Sequence, residues 1–225
     1  MIYAAGRGES APERAALSAL CEAYWYPLYA LVRRRGHDAQ DALDLTQGFF
    51  TRLLEKRDFD GAEPERGSFR AYLSGAILNY IRNHQRAERT QKRGGDARIL
   101  SLDYEAAEDR YQLEAQDDST PEGHFDRAWA LVLIERAMTA LGDSYRASGK
   151  GNVYEALQGT LTGDGSQSYV ELATELKMQE GAVKVAVHRL RKRFRLQLQS
   201  EIASTVSDPG EVQAELDQLF EALGS

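Results

Sequence analysis

The chain has 225 residues, with 35 acidic against 28 basic side chains and a formal net charge of −7. At ~100 to 200 residues per domain, that length allows one large domain or two small ones. The 42% hydrophobic and 28% charged content is that of a soluble globular chain. No stretch approaches the ~20 apolar residues that span a bilayer, and the start has no apolar core followed by a cleavage site, so the expected compartment is the cytoplasm. A single cysteine, Cys21, excludes an intramolecular disulfide and a multi-thiolate zinc site.

Hydrophobic spacing is helical nearly everywhere. Ser10 and Glu13 form a capping box ahead of Leu17, Leu20, Tyr24, Leu28 and Leu31, which step by three or four. Pro27 is expected to kink or divide that helix, and Gly36 to stop it. Asp38 opens a second helix with a buried stripe of Leu45, Phe49 and Leu53, flanked by Phe50 and Leu54. After a turn at Gly61 to Gly67, a third helix carries Phe69, Leu73, Ile77 and Ile81. Gly94-Gly95 breaks the pattern, and the acidic stretch to about Pro121 has few paired apolar positions, which reads as a linker, although Ile99, Leu100 and Leu102 are available for burial. Helical spacing resumes at Phe125, Trp129, Val132 and Leu133, up to Gly142. A shorter segment around Tyr154, Leu157 and Leu161 ends at Gly163-Asp164-Gly165.

Charge is unevenly distributed. Arg82 to Arg98 nets +4 and Lys184 to Arg195 nets +6 with no acid, whereas Asp103 to Asp126 nets −8 and the last thirty residues hold six acids and no Lys or Arg. The acidic average thus conceals two cationic surfaces. A single charged run of this kind is ordinarily a solvated helix face, so the helical context has to decide.

The strongest local signal is SYVELATELKMQEGAVKVAVHRLRKRFR, Ser168 to Arg195. Ser168 and Glu171 make a capping box; Val170, Leu172, Ala173 and Leu176 form the buried face of a short helix. A turn at Lys177 to Gln179 leads to a second helix with Val183, Val187, Leu190 and Phe194 inward. This is the layout of a helix-turn-helix, whose second helix lies in the major groove. Lys184, His188, Arg189, Arg191, Lys192 and Arg195 point outward, and a merely solvated helix would mix signs to gain i,i+4 pairs. No His or Cys lies at ligand spacing from His188, so it is read as a phosphate or base-edge contact or as an exposed residue, and neither metal nor cofactor is expected.

DALDLTQGFFTRLLEK, Asp41 to Lys56, followed by FDGAEPERGSFRAYLSGAILNYIRNHQRAERTQKR, Phe59 to Arg93, resembles region two of the extracytoplasmic-function (ECF) sigma factors of bacterial RNA polymerase. Ser168 to Arg195 is similar to their region four, so the resemblance covers roughly residues 15 to 200. It implies an all-α protein of two small helical domains. On that resemblance, residues 10–95 would be region two, 96–124 an acidic linker and 125–200 a winged-helix-like, four-helix region four, while the pattern of 201–225 reads as an acidic amphipathic helix. The resemblance further implies that Asp41, Asp44, Gln47 and Phe50 dock on the polymerase. Tyr72, Asn79, Arg82, Arg86 and Arg89 would meet the minus-ten element and a base flipped from it, and Lys184, His188, Arg189, Arg191 and Lys192 the minus-thirty-five element. The residue chemistry is suitable: tyrosines offer flat faces for an unstacked base and Asn79 a donor and an acceptor, although Tyr72 and Tyr80 equally suit packing on the Leu45 to Leu53 helix.

Four departures qualify the resemblance. The acidic docking motif reads Asp41-Ala42-Leu43-Asp44, one carboxylate short; a usual Trp is Tyr72; Gln179 replaces a Ser cap; and Val185-Ala186 replaces a polar-basic pair. The family's zinc-binding anti-sigma motif is absent from the chain. Thr46 and Thr51 lie in the docking helix, where a phosphate would replace the missing carboxylate.

In the tail, Val212, Leu216, Leu219, Phe220 and Leu223 form an apolar face. It is expected to pack back on the C-terminal domain, with the alternative that this acidic helix covers a basic DNA-binding face. The resulting expectation is a sigma factor, not an enzyme, whose partners are core RNA polymerase and promoter DNA. An anti-sigma factor or regulatory kinase remains open as a further partner. The alternative is a stand-alone helix-turn-helix regulator. Paired carboxylates such as Glu13, Glu22, Asp41 and Asp44 lack a His or Lys partner and a phosphate loop, which leaves an enzyme a distant third.

Overall fold

The structure, a computed structural model, describes residues 11–56, 69–88, 104–114, 120–163, 167–206 and 209–224. The Ser10 cap, the Gly61 to Gly67 turn, Arg89 and the remainder of the first basic window, Ile99, Leu100, Leu102 and Asp164 lie outside them. The fold is all-α, with no strand among the described residues, so nothing described corresponds to a wing. The helices are α1 (Ala11–Arg34), α2 (Ala39–Lys56), α3 (Phe69–Glu88), α4 (Tyr104–Glu114), α5 (Pro121–Ala147), α6 (Gly151–Leu157), α7 (Gly159–Thr162), α8 (Tyr169–Glu175), α9 (Glu180–Thr205) and α10 (Val212–Gly224). Two compact units result: residues 1–132 with 203–225, and residues 133–202.

In the first unit, α1 buries Leu20, Tyr24, Leu28 and Leu31 as its spacing predicts, and also Trp25, Tyr29 and Val32. The helix is not divided at Pro27; burial of almost every side chain around the proline offsets the missing N–H. It ends at Gly36, whose φ of +92° suits the residue without a Cβ. Asp38 then caps α2, its Oδ1 accepting from the Asp41 N–H at 2.8 Å. Leu45, Phe49 and Leu53 of α2 and Phe69, Leu73, Ile77 and Ile81 of α3 complete a common apolar core.

Two segments differ from the sequence expectation. Part of the acidic stretch is helical: α4 buries Ala107 and Tyr111, spaced i,i+4. Tyr111 stands edge-on to Tyr29 at 6.5 Å and lies under the Arg33 guanidinium at 4.7 Å. Arg33 makes a two-pronged pair with Glu108 at 2.9 and 3.1 Å, and Tyr29 donates to the same carboxylate. Two apolar positions were too few to reveal a helix whose docking is carried by charge and aromatic contact.

The tail is the second difference. Residues 203–225 group with the first unit, not with the C-terminal domain. Helix α10 buries Glu215, Leu216 and Leu219 and leaves Phe220 exposed. What places it there is Arg70 at the start of α3, only 8% exposed. Arg70 pairs with Asp126 and, at 3.4 Å, with Glu215, donates to Gln218, and lies 4.6 Å from the Trp129 ring centroid. A buried guanidinium needs such acceptors, and the acidic tail supplies two of them.

The second unit is built on Leu141, Tyr145, Tyr154, Leu157, Leu172, Val183, Val187 and Leu190, with Phe194 packed against them. Gly142 is required where α5 meets Tyr154: an added Cβ would lie 2.8 Å from the ring, and the Tyr154 hydroxyl is held at 2.7 Å by the Met138 carbonyl.

Candidate nucleic-acid interface

Helix α2 displays Asp41 and Asp44, both exposed, with Asp44 accepting from Gln40 at 3.1 Å. Gln47 is half-buried. Phe50, expected on this docking surface, is instead fully buried, its ring 5.6 Å from Phe49 and 6.4 Å from Trp25. It lies on the flank of the buried stripe that Trp25 of α1 covers, so its part is core packing. Thr46 is also fully buried and donates its hydroxyl to the Ala42 carbonyl at 2.7 Å, while half-buried Thr51 donates to Gln47 at 2.9 Å. The Thr46 hydroxyl is therefore not displayed where a phosphate could supplement Asp41 and Asp44.

On α3, Asn79, Arg82 and Arg86 are exposed at spacings of three and four, so they share one face. Arg82 reaches back along the helix, donating to the Asn79 side-chain oxygen and to the Leu78 carbonyl at 3.3 Å. Tyr72 is half-buried, 5.9 Å from Phe69. Tyr80 resolves toward packing: its ring is 6.0 Å from Phe49 and its hydroxyl sits where a Cβ on Gly48 would be. Burial pushes the Tyr80 phenol pKa up, with the Arg52 charge opposing. Gly48 thus admits Tyr80 onto α2, leaving Tyr72 as the aromatic beside the exposed polar face.

In the second unit, the capping box is present in full: Glu171 N–H donates to Ser168 Oγ at 3.3 Å and Ser168 N–H to Glu171 at 2.6 Å. Hydrogen bonding to the Ser168 N–H, and next to the Ser168 side chain, holds the Glu171 carboxyl below its ordinary range. Leu172 is buried, but Val170, expected inward, is 61% exposed; α8 is a single short pair of turns and only Leu172 reaches the core fully. The chain reverses through Lys177, in the left-handed region at φ +53°, and enters α9. There Val183, Val187 and Leu190 are at most 2% exposed, which fixes the phase of the helix.

Lys184, His188, Arg189, Arg191, Lys192 and Arg195 are all exposed, as their phase requires. They are not equivalent. Lys184 pairs with Glu180 at 2.7 Å, which pushes its ammonium pKa up, and lies 5.8 Å from the Tyr169 ring. Arg191 donates to the Thr160 carbonyl at 3.0 Å. Arg193 donates to Ser144 at 3.0 Å and stacks 4.7 Å from the Tyr145 centroid. No described residue forms an ion pair with His188, Arg189, Lys192 or Arg195. Among the described residues, no group of three His, Cys, Asp or Glu is placed to hold a metal ion, and no helix is long and apolar enough to cross a membrane.

Helix α2 thus presents the carboxylates of Asp41 and Asp44, α3 an exposed polar and basic face, and α9 a run of exposed basic side chains from Lys184 to Arg195 with no acid among them. Residues 20–91 match the family model of Sigma-70 region 2. The match is to that one region and covers about a third of the chain. It spans α2 and α3 and every residue expected at the docking and minus-ten surfaces, and it stops short of α8 and α9. No curated protein and no solved structure matches the chain significantly.

Proposed function

We propose that the chain is a cytoplasmic sigma factor of the ECF type, itself without enzymatic activity. The observation that carries this reading is the coincidence of the region 2 match with the exposed Asn79, Arg82 and Arg86 face, together with a second cationic helix more than ninety positions later. Asp41 and Asp44 of α2 meet the clamp of core polymerase. Tyr72, Asn79, Arg82, Arg86 and, outside the described residues, Arg89 engage and melt the minus-ten element. The α8–α9 pair acts as a helix-turn-helix that anchors the minus-thirty-five element through His188, Arg189, Lys192 and Lys184, with Arg191 shared between DNA and its own scaffold. Each cation brought to a phosphate releases condensed counterions, so upstream binding falls steeply with salt. An anti-sigma factor or a kinase is the expected class of regulator.

Run-off transcription with core polymerase tests this reading. Arg86→Ala is expected to abolish strand opening, measured by permanganate reactivity of unpaired thymines, while Arg189→Ala weakens binding to the upstream duplex. A chain that binds duplex DNA yet neither assembles with core polymerase nor supports run-off would instead be a stand-alone helix-turn-helix regulator.

A further inference from the structure

We infer that Val185 reads thymine methyl groups in the upstream element and sets its base preference. This rests on the reading of α8 and α9 as a DNA-binding pair and goes beyond it by naming the residue and the chemical group it reads. The argument begins with helix phase. At about 100° per residue, the direction opposite the buried Val183, Val187 and Leu190 falls on Val185, and Gly181, His188 and Lys192 lie in the same stripe. The centre of the cationic face of α9 is therefore an isopropyl group, 49% exposed. Valine is a poor choice for a solvated helix position, because its branched Cβ is stiff in a helix and its methyls gain nothing from water.

The neighbouring cations divide into two sets. Lys184, Arg191 and Arg193 are engaged by Glu180, by the Thr160 carbonyl and by Ser144 with Tyr145, all within the second unit. Arg189 and Lys192, four and seven positions beyond Val185, form no ion pair with a described residue, and neither does His188. Val185 is thus an apolar point beside Arg189 and Lys192, which no described residue pairs with: a group to be pressed against a surface that is anionic at its margins and apolar at its centre. The major groove meets that description where a thymine lies, since the C5-methyl is the apolar group on a base-pair edge there. Opposite guanine, adenine or cytosine, the same side chain would cover donors and acceptors without replacing their hydrogen bonds. Gly181, with nothing within 4 Å of an added Cβ, lies one turn before Val185 and keeps the stripe low enough for close approach.

The test uses the full chain assembled with core RNA polymerase. DNA enriched from a randomised pool supplies the upstream element, and each thymine in it is replaced singly by deoxyuridine, which removes the methyl and keeps the pairing edge. Wild type is expected to lose about fourfold in affinity at one or two positions, the value of one buried methyl. Val185→Ser, at an exposed position and checked for an unchanged melting temperature, is expected to bind more weakly and to be indifferent to the same replacements. Deoxyuridine tolerated everywhere, while Arg189→Ala still weakens upstream binding, overturns the assignment and leaves the DNA-binding reading standing. The same holds if the methyl sensitivity persists in Val185→Ser. If Arg189→Ala and Val185→Ser both leave upstream binding unchanged, α9 does not read DNA, and the underlying reading falls together with the assignment.

Discussion

Replacing Arg70 by alanine removes the cation on which three helices converge, and the cost follows from which partners water can reach. The Asp126 side chain is 39% exposed and can be rehydrated after a small adjustment. Glu215 cannot: its side chain is 6% exposed, and its counter-charge is the Arg70 guanidinium at 3.4 Å. Breaking a buried pair by deleting one partner costs about 3 to 5 kcal/mol, because the remaining charge stays desolvated. The lost stacking on Trp129, at 4.6 Å, adds about 1 kcal/mol, although the two contributions overlap. A total of about 4 kcal/mol lowers the melting temperature by roughly 10 °C in a unit of this size. It should also detach the tail, read as faster amide exchange across Val212–Gly224. Arg70→Met combined with Glu215→Leu should recover at least half of the loss, since a buried pair replaced by apolar groups of similar volume is often neutral. A loss below about 1 kcal/mol for Arg70→Ala, or no recovery in the double variant, would refute the view that this buried ion cluster holds the tail.

Other consequences follow from single sites. Burial opposes ionisation of Glu108, but hydrogen bonds from Tyr29, Arg33 and Gln112 and the charge of Arg33 outweigh it and hold the carboxyl below its ordinary range. Its contribution is therefore complete above the unfolded carboxyl pKa of ~4.3 and is lost as pH falls through the lower folded value. Glu108→Gln should cost about 1 to 3 kcal/mol at neutral pH and flatten the acid limb of a pH titration of stability. Gly142→Ala should destabilise the second unit by about 1 to 3 kcal/mol, because Tyr154 is fixed by its bond to Met138 and cannot yield to the new methyl. Gly75→Ala, mid-helix in α3 with nothing within 4 Å, should instead stabilise by about 0.5 to 1 kcal/mol in urea titrations. Burial, with the Glu22 charge adding, pushes the Cys21 thiol up to about 11. The folded protein should therefore resist thiol alkylation at pH 8 and react only as urea unfolds it; rapid labelling without denaturant would contradict the burial.

The helices of this protein were legible where apolar side chains repeat with the helical period. Leu20 to Leu31, Phe69 to Ile81 and Val183 to Leu190 were read from spacing alone and are buried as read. The Ser168 and Glu171 cap was equally legible, because every atom of it lies within four consecutive residues. The exposed face of α9 followed from the same phase argument, with opposite sign. Phe50 and Tyr80 were less legible. A residue at the margin of a buried stripe is decided by what the next helix brings, here Trp25 against Phe50 and the space above Gly48 for Tyr80.

Sequence by itself determined an all-α chain, the phases of its described helices and the outward placement of the α9 cations, since these depend on neighbours three or four residues apart. Tertiary structure alone decided that part of the acidic stretch docks on α1 through Glu108 and that the tail completes the first unit. Arg70 and Glu215 are separated by 145 positions. Nothing local to either marks it as buried, because an arginine and a glutamate look like surface residues until each supplies the charge that lets the other leave water.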